Sequence, residues 1–287
     1  MDSRGSPFRT DRSASTNGTM TAAPADTRAP ARSAPGLRGV VFDVDGVLTD
    51  SVGLHAAAWK AAFDPCLEAV PPSGLAAWQL HPFDEFKDLG LVDGKPGFEG
   101  ALAFLASRGL RLPEGRPGDA PGSTTVWAVA AAKEAAFLAA LSERPVEAFP
   151  EVGAVLAALH AWGVKCAAVS TCGDAGDMLT ASAIRGLFDT VVDGTEADRL
   201  GLAGTPDPAL FLEGARRLRV PPAQAVVAED SPAGAEAGMR GGFALVAGIN
   251  RSSSHELAAR MYTHGADVVV RDLAGVLRAA LGRWEGA

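Results

Sequence analysis

Asp43 and Asp45 stand at i and i+2, directly after the apolar run 37–42. On an extended chain that spacing puts both side chains on one face, so the two carboxylates are close neighbours. Neighbouring carboxylates repel, and a bound cation or a shared proton relieves the repulsion. One of them can act as a nucleophile while the other moves a proton. Asp before Gly is also common in plain turns, so this motif alone leaves both readings open. A second pair, Glu229-Asp230, follows the run 225–228, and Ser231-Pro232 then opens a helix. Taken alone, that is helix capping. Together the two pairs form an all-oxygen set suited to Mg²⁺. Ser170-Thr171 closes the run 164–169 just ahead of Gly173 and a further helix. Hydroxyls and free N–H groups at a helix start suit a phosphate, and equally suit simple capping. Thr205-Pro206 is the fourth polar candidate that precedes a helix.

These candidates need elements to bring them together. Short apolar runs at 37–42, 164–169, 191–192, 225–228, 243–246 and 267–270 read as buried strands. Helix-length segments lie between them at 151–162, 174–186, 207–218, 232–240 and 254–263. Alternation of this kind predicts an α/β fold, a doubly wound parallel, Rossmann-like sheet with helices on both faces. In such sheets function gathers at the carboxyl ends of the strands. Residues 52–145 break the rhythm, with helical stretches at 53–63, 99–108 and 126–141 around a Pro/Gly-rich section. The expected organisation is a core of 37–51 plus 146–287, interrupted by a mostly α-helical cap over 52–145. A cap inserted just after Asp45 can close over a substrate and exclude water.

Residues 1–36 are Ser, Thr, Ala, Pro, Gly and Arg with almost no large apolar side chains, and read as a disordered tail. No apolar stretch there suits a secretory signal. No run of 18 apolar residues exists, so no membrane span is expected. A net charge of −8 argues against a nucleic-acid partner. Three cysteines without paired spacing support neither a disulfide framework nor a zinc site, and favour a cytoplasmic setting. The 287 residues hold 26 Lys and Arg, of which only Lys60, Lys87, Lys95, Lys133 and Lys165 are lysine.

The order Asp-x-Asp-Gly-Val-x-x-Asp-Ser, then Ser-Thr, Gly-x-Pro and Glu-Asp-Ser-x-Ala-Gly resembles the haloacid dehalogenase (HAD) superfamily, and within it the β-phosphoglucomutase-like subgroup. The match runs from about Gly39 to Leu273. Asp50-Ser51, His55 and Trp59-Lys60 match that subgroup's first cap helix. The cap is similar to those of longer-capped members, including His81-Pro82-Phe83 and the stretch 92–96. The resemblance implies Asp43 as the nucleophile that becomes an aspartyl phosphate and Asp45 as general acid/base. It implies Ser170, with Thr171 and Thr205, at the phosphate. Mg²⁺ would be held by Asp43, the main-chain carbonyl of Asp45, Glu229 and Asp230. His55 and Trp59 would touch a small phosphorylated sugar.

One position departs from the pattern. The superfamily carries a lysine, sometimes an arginine, before the Pro of its third motif, where this chain has Thr205. Lys165 starts its strand, roughly 16 Å from the strand's far end. Lys95, Lys133 and Arg199 are then the cations that could swing in when the cap closes, although each cap lysine alone reads as a solvated surface residue. Gly97 and Ala131-Ala132 stand where longer-capped relatives tend to carry Arg and Asn-Arg. Trp78, Trp127 and Trp162 read as packing residues, and so does Cys172. The expected function is Mg²⁺-dependent phosphoryl transfer on a small phosphorylated sugar, as a mutase or a phosphatase, by a monomer or weak dimer. The alternative is a catalytically impaired relative that binds a sugar phosphate or a protein partner.

Overall fold

The computed structural model describes residues 36–285, apart from 86, 144 and 145. The segment 1–36, read as a tail, therefore lies outside the described residues except for Gly36. The elements, in chain order, begin with β1 (Gly39–Asp43), α1 (Val52–Ala69), α2 (Leu89–Val92), α3 (Gly97–Ser107) and α4 (Val126–Glu143). Then come α5 (Val152–Ala161), β2 (Lys165–Val169), α6 (Ala175–Ala181), β3 (Thr190–Val192), α7 (Gly194–Leu200) and α8 (Ala209–Leu218). The last are β4 (Ala225–Glu229), α9 (Pro232–Arg240), β5 (Leu245–Ile249), α10 (His255–Thr263), β6 (Val268–Val270) and α11 (Leu273–Glu285).

All six strands are parallel, in the order β3-β2-β1-β4-β5-β6. The sheet is the doubly wound one that the alternating runs predict. Side chains alternate between its two faces. Val40, Phe42, Cys166, Ala168, Val226 and Ala228 join one buried cluster, and Val41, Ala167, Val169, Ala225 and Val227 join the other. Both faces are covered, which is why the strands read as continuous apolar runs rather than alternating ones. The strand expected at 243–246 forms instead at Leu245–Ile249, the register in which it bonds to both β4 and β6.

The inserted segment has a core of its own. Trp59, Phe63, Phe83, Phe104, Leu105 and Val129 belong to a buried cluster drawn wholly from residues 59–132. Here α1 runs well past the expected end at 63, through Pro65 to Ala69. Cys66 and Leu67 on that added turn are buried in the same cluster, and their burial outweighs the proline's lost hydrogen bond. Phe63 is fully buried, with ring centroids 4.0 Å from Phe104, 5.0 Å from Trp59 and 5.5 Å from Phe83. Phe63→Ala is expected to cost about 3–5 kcal/mol, read as a lower urea midpoint with unchanged sheet content. No described helix is long and apolar enough to cross a membrane.

Candidate active site

β1 lies at the middle of the sheet, with β2 on one side and β4 on the other. Asp43 is its last residue, Glu229 is the last of β4, and Ser170 follows β2. The chain turns immediately after Asp45. Gly46 N–H donates to Thr49 O, and the amides of Leu48 and Thr49 donate to Val44 O. Arg251, far along the chain, secures this turn. Its guanidinium donates to Gly46 O at 2.9 Å and Val47 O at 2.7 Å, pairs with Glu151 and stacks on Phe149.

A pocket of about 80 Å³ sits over these strand ends. Asp43, Asp45, Thr171, Glu229 and Asp230 line it from the sheet side; His55, Trp59, Asp93, Lys95 and Lys133 line it from the inserted segment. The turn at Asp93-Gly94-Lys95 fits closely against the sheet side. Gly94 has φ +69°, and a Cβ there would meet Ser231 Oγ at 3.0 Å and Thr205 Oγ1 at 3.1 Å. Thr205 Oγ1 donates to Gly94 O at 2.5 Å.

Asp43, Glu229 and Asp230 offer carboxylate oxygens that all lie within 4.8 Å of one another. Burial, followed by the charges of Glu229, Asp45 and Asp230, raises Asp43 well above the usual carboxylate range. Burial also lifts Glu229 to about 7, against the bonds it accepts from the amides of Ser231 and Asp230. Asp230 is raised well above its ordinary value by burial, and then by Asp93 and Glu229. Three clustered carboxylates, Glu229 buried and Asp43 and Asp230 half-buried, form an all-oxygen donor set suited to one hard cation. The residues present therefore fit Mg²⁺.

Asp45 differs from that set. Burial works to raise it, but pairing with His55 and hydrogen bonds from His55, Ser51 and Ser170 bring it down to about 2. Ser51 Oγ donates to its Oδ1 at 2.5 Å, His55 Nε2 lies 3.0 Å from the same oxygen, and Ser170 Oγ donates to Oδ2 at 3.1 Å. The His55 ring stacks on Phe137 at 4.1 Å, which fixes its direction.

The structure corrects several expectations. Ser170 and Thr205, both expected at the phosphate, do not line this pocket. The Ser170 hydroxyl is taken up by Asp45 and by the Cys172 amide, and the Thr205 hydroxyl by Gly94. Thr171 does line the pocket. Lys133 is a buried residue rather than a solvated surface lysine, with its ammonium 4.9 Å from the Phe137 ring centre and 3.4 Å from Glu134. Lys95 also lines the pocket, whereas Arg199 stays exposed and paired with Glu196. Trp127 packs as expected, stacked on Phe98 at the wall of a cavity beside the pocket, whereas Trp78 is exposed rather than packed.

Sequence reasoning missed Asp93, Glu134 and Arg251. Asp93 lies in the stretch 92–96 that carries the resemblance to longer-capped members, but nothing there marks its carboxylate, and nothing local marks Arg251. Glu134 hydrogen-bonds Asp174 across the gap between α4 and the start of α6. That bond pushes Asp174 to about 7, helped by burial. Glu134, despite its burial, is lowered by the same bond and by Lys133.

A six-stranded parallel sheet with paired acids at the ends of its central strands and a helical insertion after the first defines a class. The chain belongs to the haloacid dehalogenase-like hydrolases, whose family model matches residues 37–242, and within them to the β-phosphoglucomutase-like subgroup. A β-phosphoglucomutase of Mycobacterium bovis is 38% identical over 243 residues, covering 84% of this chain and 92% of its own. A β-phosphoglucomutase of Bacillus subtilis is 27% identical over 245 residues, covering 82% of this chain and 89% of its own. Among solved structures, a HAD family hydrolase from Deinococcus radiodurans with bound phosphate and sodium is 26% identical, with a TM-score of 0.58 over 87% of this chain and 97% of its own. A β-phosphoglucomutase from Clostridium difficile shares the fold at TM-score 0.65 and 18% identity, covering 88% of this chain and all of its own.

Proposed function

We propose that this protein transfers a phosphoryl group from a small phosphorylated sugar, with Mg²⁺, through an aspartyl phosphate on Asp43. The observation that carries the reading is the Asp43–Glu229–Asp230 cluster, roofed by two cations, Lys95 and Lys133, from the inserted segment. Phosphoryl transfer is mainly positioning and neutralisation of oxygen charge, and this pocket supplies both. The two lysines stand in for the motif lysine that Thr205 replaces. Both come from the inserted segment, so the positive charge is complete only when that segment is closed.

Asp43, Glu229, Asp230 and the main-chain carbonyl of Asp45 would hold Mg²⁺, which when bound offsets the carboxylate charge and that of the phosphoryl oxygens. In the first half-reaction an Asp43 oxygen forms a bond to phosphorus as the ester oxygen leaves with a proton that reaches it from solvent by way of Asp45. In the second, a hydroxyl or water attacks phosphorus, gives its proton to Asp45 and frees Asp43. Ser51, His55 and Ser170 hold Asp45 in place for both transfers.

The test is release of phosphate from, and isomerisation of, β-glucose 1-phosphate and a panel of sugar phosphates after chelation and after Mg²⁺ is restored. Turnover is expected only with Mg²⁺. Mg²⁺ alone should raise the melting temperature of the wild type and do so far less for Asp230→Asn. A protein that turns over no phosphate ester with Mg²⁺ present would sink the reading.

A further inference from the structure

The inserted segment leaves the core after Asp45 and returns before α5, through two linkers, 46–51 and 146–151. They run side by side. The Asp50 amide donates to Glu147 O at 3.1 Å, the Phe149 amide donates to Leu48 O at 3.0 Å, and Thr49 pairs with Ala148 in an antiparallel bridge. A swing of the segment against the core has to bend these few residues, which is where a hinge lies. Arg251 grips both linkers from the core. On the first, its Nε donates to Gly46 O at 2.9 Å and its Nη2 to Val47 O at 2.7 Å. On the second, its Nη1 donates to Glu151 at 2.9 Å, and the guanidinium lies over the Phe149 ring, 3.3 Å from its centre. A lysine cannot reproduce this set, because an ammonium has neither a planar face to stack nor a fixed fork for two carbonyls. The grip also has a firm base. The Asn250 amide donates to Val270 O at 2.7 Å, tying the end of β5 to β6. The Asn250 side chain donates to Ser254 O at 2.7 Å and accepts from the Ser254 amide at 3.1 Å.

The groups on either side of this grip belong to the chemistry. Asp45 immediately precedes Gly46, and Ser51 and His55, at the far end of the first linker, hold its Oδ1. Lys95 and Lys133 lie further into the segment and line the pocket. We propose, resting on the phosphoryl-transfer reading above, that Arg251 is a positioning residue for that reaction: it fixes the core ends of both linkers as one pivot. Closing then returns His55, Lys95 and Lys133 to the same place over Asp43 at every turnover, against an Asp45 turn that does not yield. Arg251 does not line the pocket. It acts on Asp45 through Gly46 and Val47, and on the swing of the segment through Phe149 and Glu151. Without it the segment still closes, but the reacting groups meet the phosphoryl group off line. Misplacement of that kind lowers the rate of the chemical step, while the pocket residues that bind the ester are all still present.

The experiment measures kcat and KM for β-glucose 1-phosphate and 4-nitrophenyl phosphate at saturating Mg²⁺, for the wild type, Arg251→Ala and Arg251→Lys. Arg251→Ala is expected to lower kcat roughly tenfold while KM stays within roughly threefold, with Arg251→Lys between it and the wild type. Millimolar guanidinium should restore part of the lost kcat to Arg251→Ala and leave the wild type unchanged. Hydrogen exchange read by mass spectrometry should be faster in the peptides covering 46–51 and 146–151 of Arg251→Ala, and unchanged over β4. A lower melting temperature with wild-type kcat makes Arg251 a purely structural clamp and overturns the inference. So does a loss confined to KM, or a lost kcat that guanidinium does not restore. Should Arg251→Ala fail to fold, Arg251→Lys decides: a reduced kcat at unchanged KM upholds the inference, and a wild-type kcat overturns it. Each of those failures leaves phosphoryl transfer standing. No turnover of any ester by the wild type removes phosphoryl transfer itself, and this inference with it.

Discussion

Asp43→Asn is expected to lower kcat by about 10⁴-fold or more, equivalent to about 5 kcal/mol of lost transition-state stabilisation. An amide is a far poorer nucleophile toward phosphorus than a carboxylate, and no other described carboxylate at the strand ends occupies the Asp43 position. The same substitution should make the metal-free protein more stable. Asp43 is buried beside Glu229, Asp45 and Asp230, and its carboxyl is lifted well above 3.8, its ordinary value. A group lifted in this way favours the folded state less and less as pH rises from its unfolded value toward its folded one. The stability advantage of the Asp43→Asn variant over the wild type should therefore be absent below about pH 4, grow as pH rises, and level off above the folded value. Chelator-treated samples melted across that range would show it. An Asp43→Asn variant that kept its turnover would remove Asp43 from the chemistry.

Gly46→Ala has the second largest expected effect, and it acts on the metal acids without altering one. Gly46 sits at φ +71°, and a Cβ there would fall 1.8 Å from Asp230 Oδ2 and 2.9 Å from Val52 Cγ2. The left-handed backbone alone costs about 1–2 kcal/mol for an alanine. The clash must also push the Asp230 carboxylate aside, and a displaced ligand of this kind costs about 10–100-fold in metal affinity. Mg²⁺ titration followed by melting temperature should show a lower starting stability and a response shifted to higher Mg²⁺. Gly53→Ala is the control. Nothing lies within 4 Å of its added Cβ, so a neutral or slightly stabilising result is expected there. Equal Mg²⁺ responses in the wild type and Gly46→Ala would show that Asp230 takes no part in holding the ion.

The parts of this site that could be read from sequence are those where chemistry and strand are covalently adjacent. Asp43, Asp45, Glu229 and Asp230 each follow an apolar run directly, so the strand that ends there places them. The sheet was legible for the same reason: a strand covered on both faces leaves an unbroken apolar run. Lys133 was not legible. Whether it meets water or rings depends on Trp59 and Phe137 arriving from two helices, and α4 is so rich in alanine that its sequence marks no buried face. Arg251 was hidden because its partners, Gly46 and Val47, stand some 200 residues earlier. The phosphate roles carried over for Ser170 and Thr205 could not foresee that the Ser170 hydroxyl is taken up by Asp45 and the Thr205 hydroxyl by Gly94, a residue more than 100 positions away.

β1 is made first yet lies between β2 and β4, with the turn beyond it fastened by Arg251. During synthesis the cluster drawn from 59–132 has all its members long before β1 has a neighbour. Contacts so distant in sequence form slowly, because a long loop must close before they are made. An emerging chain would therefore carry the helical insertion beside an apolar strand that has no neighbour until β2 is out at residue 169 and only one until β4 is out at residue 229, and an unfastened nucleophile loop until residue 251 follows. The nucleophile is among the first of the described residues to be translated and among the last to be placed.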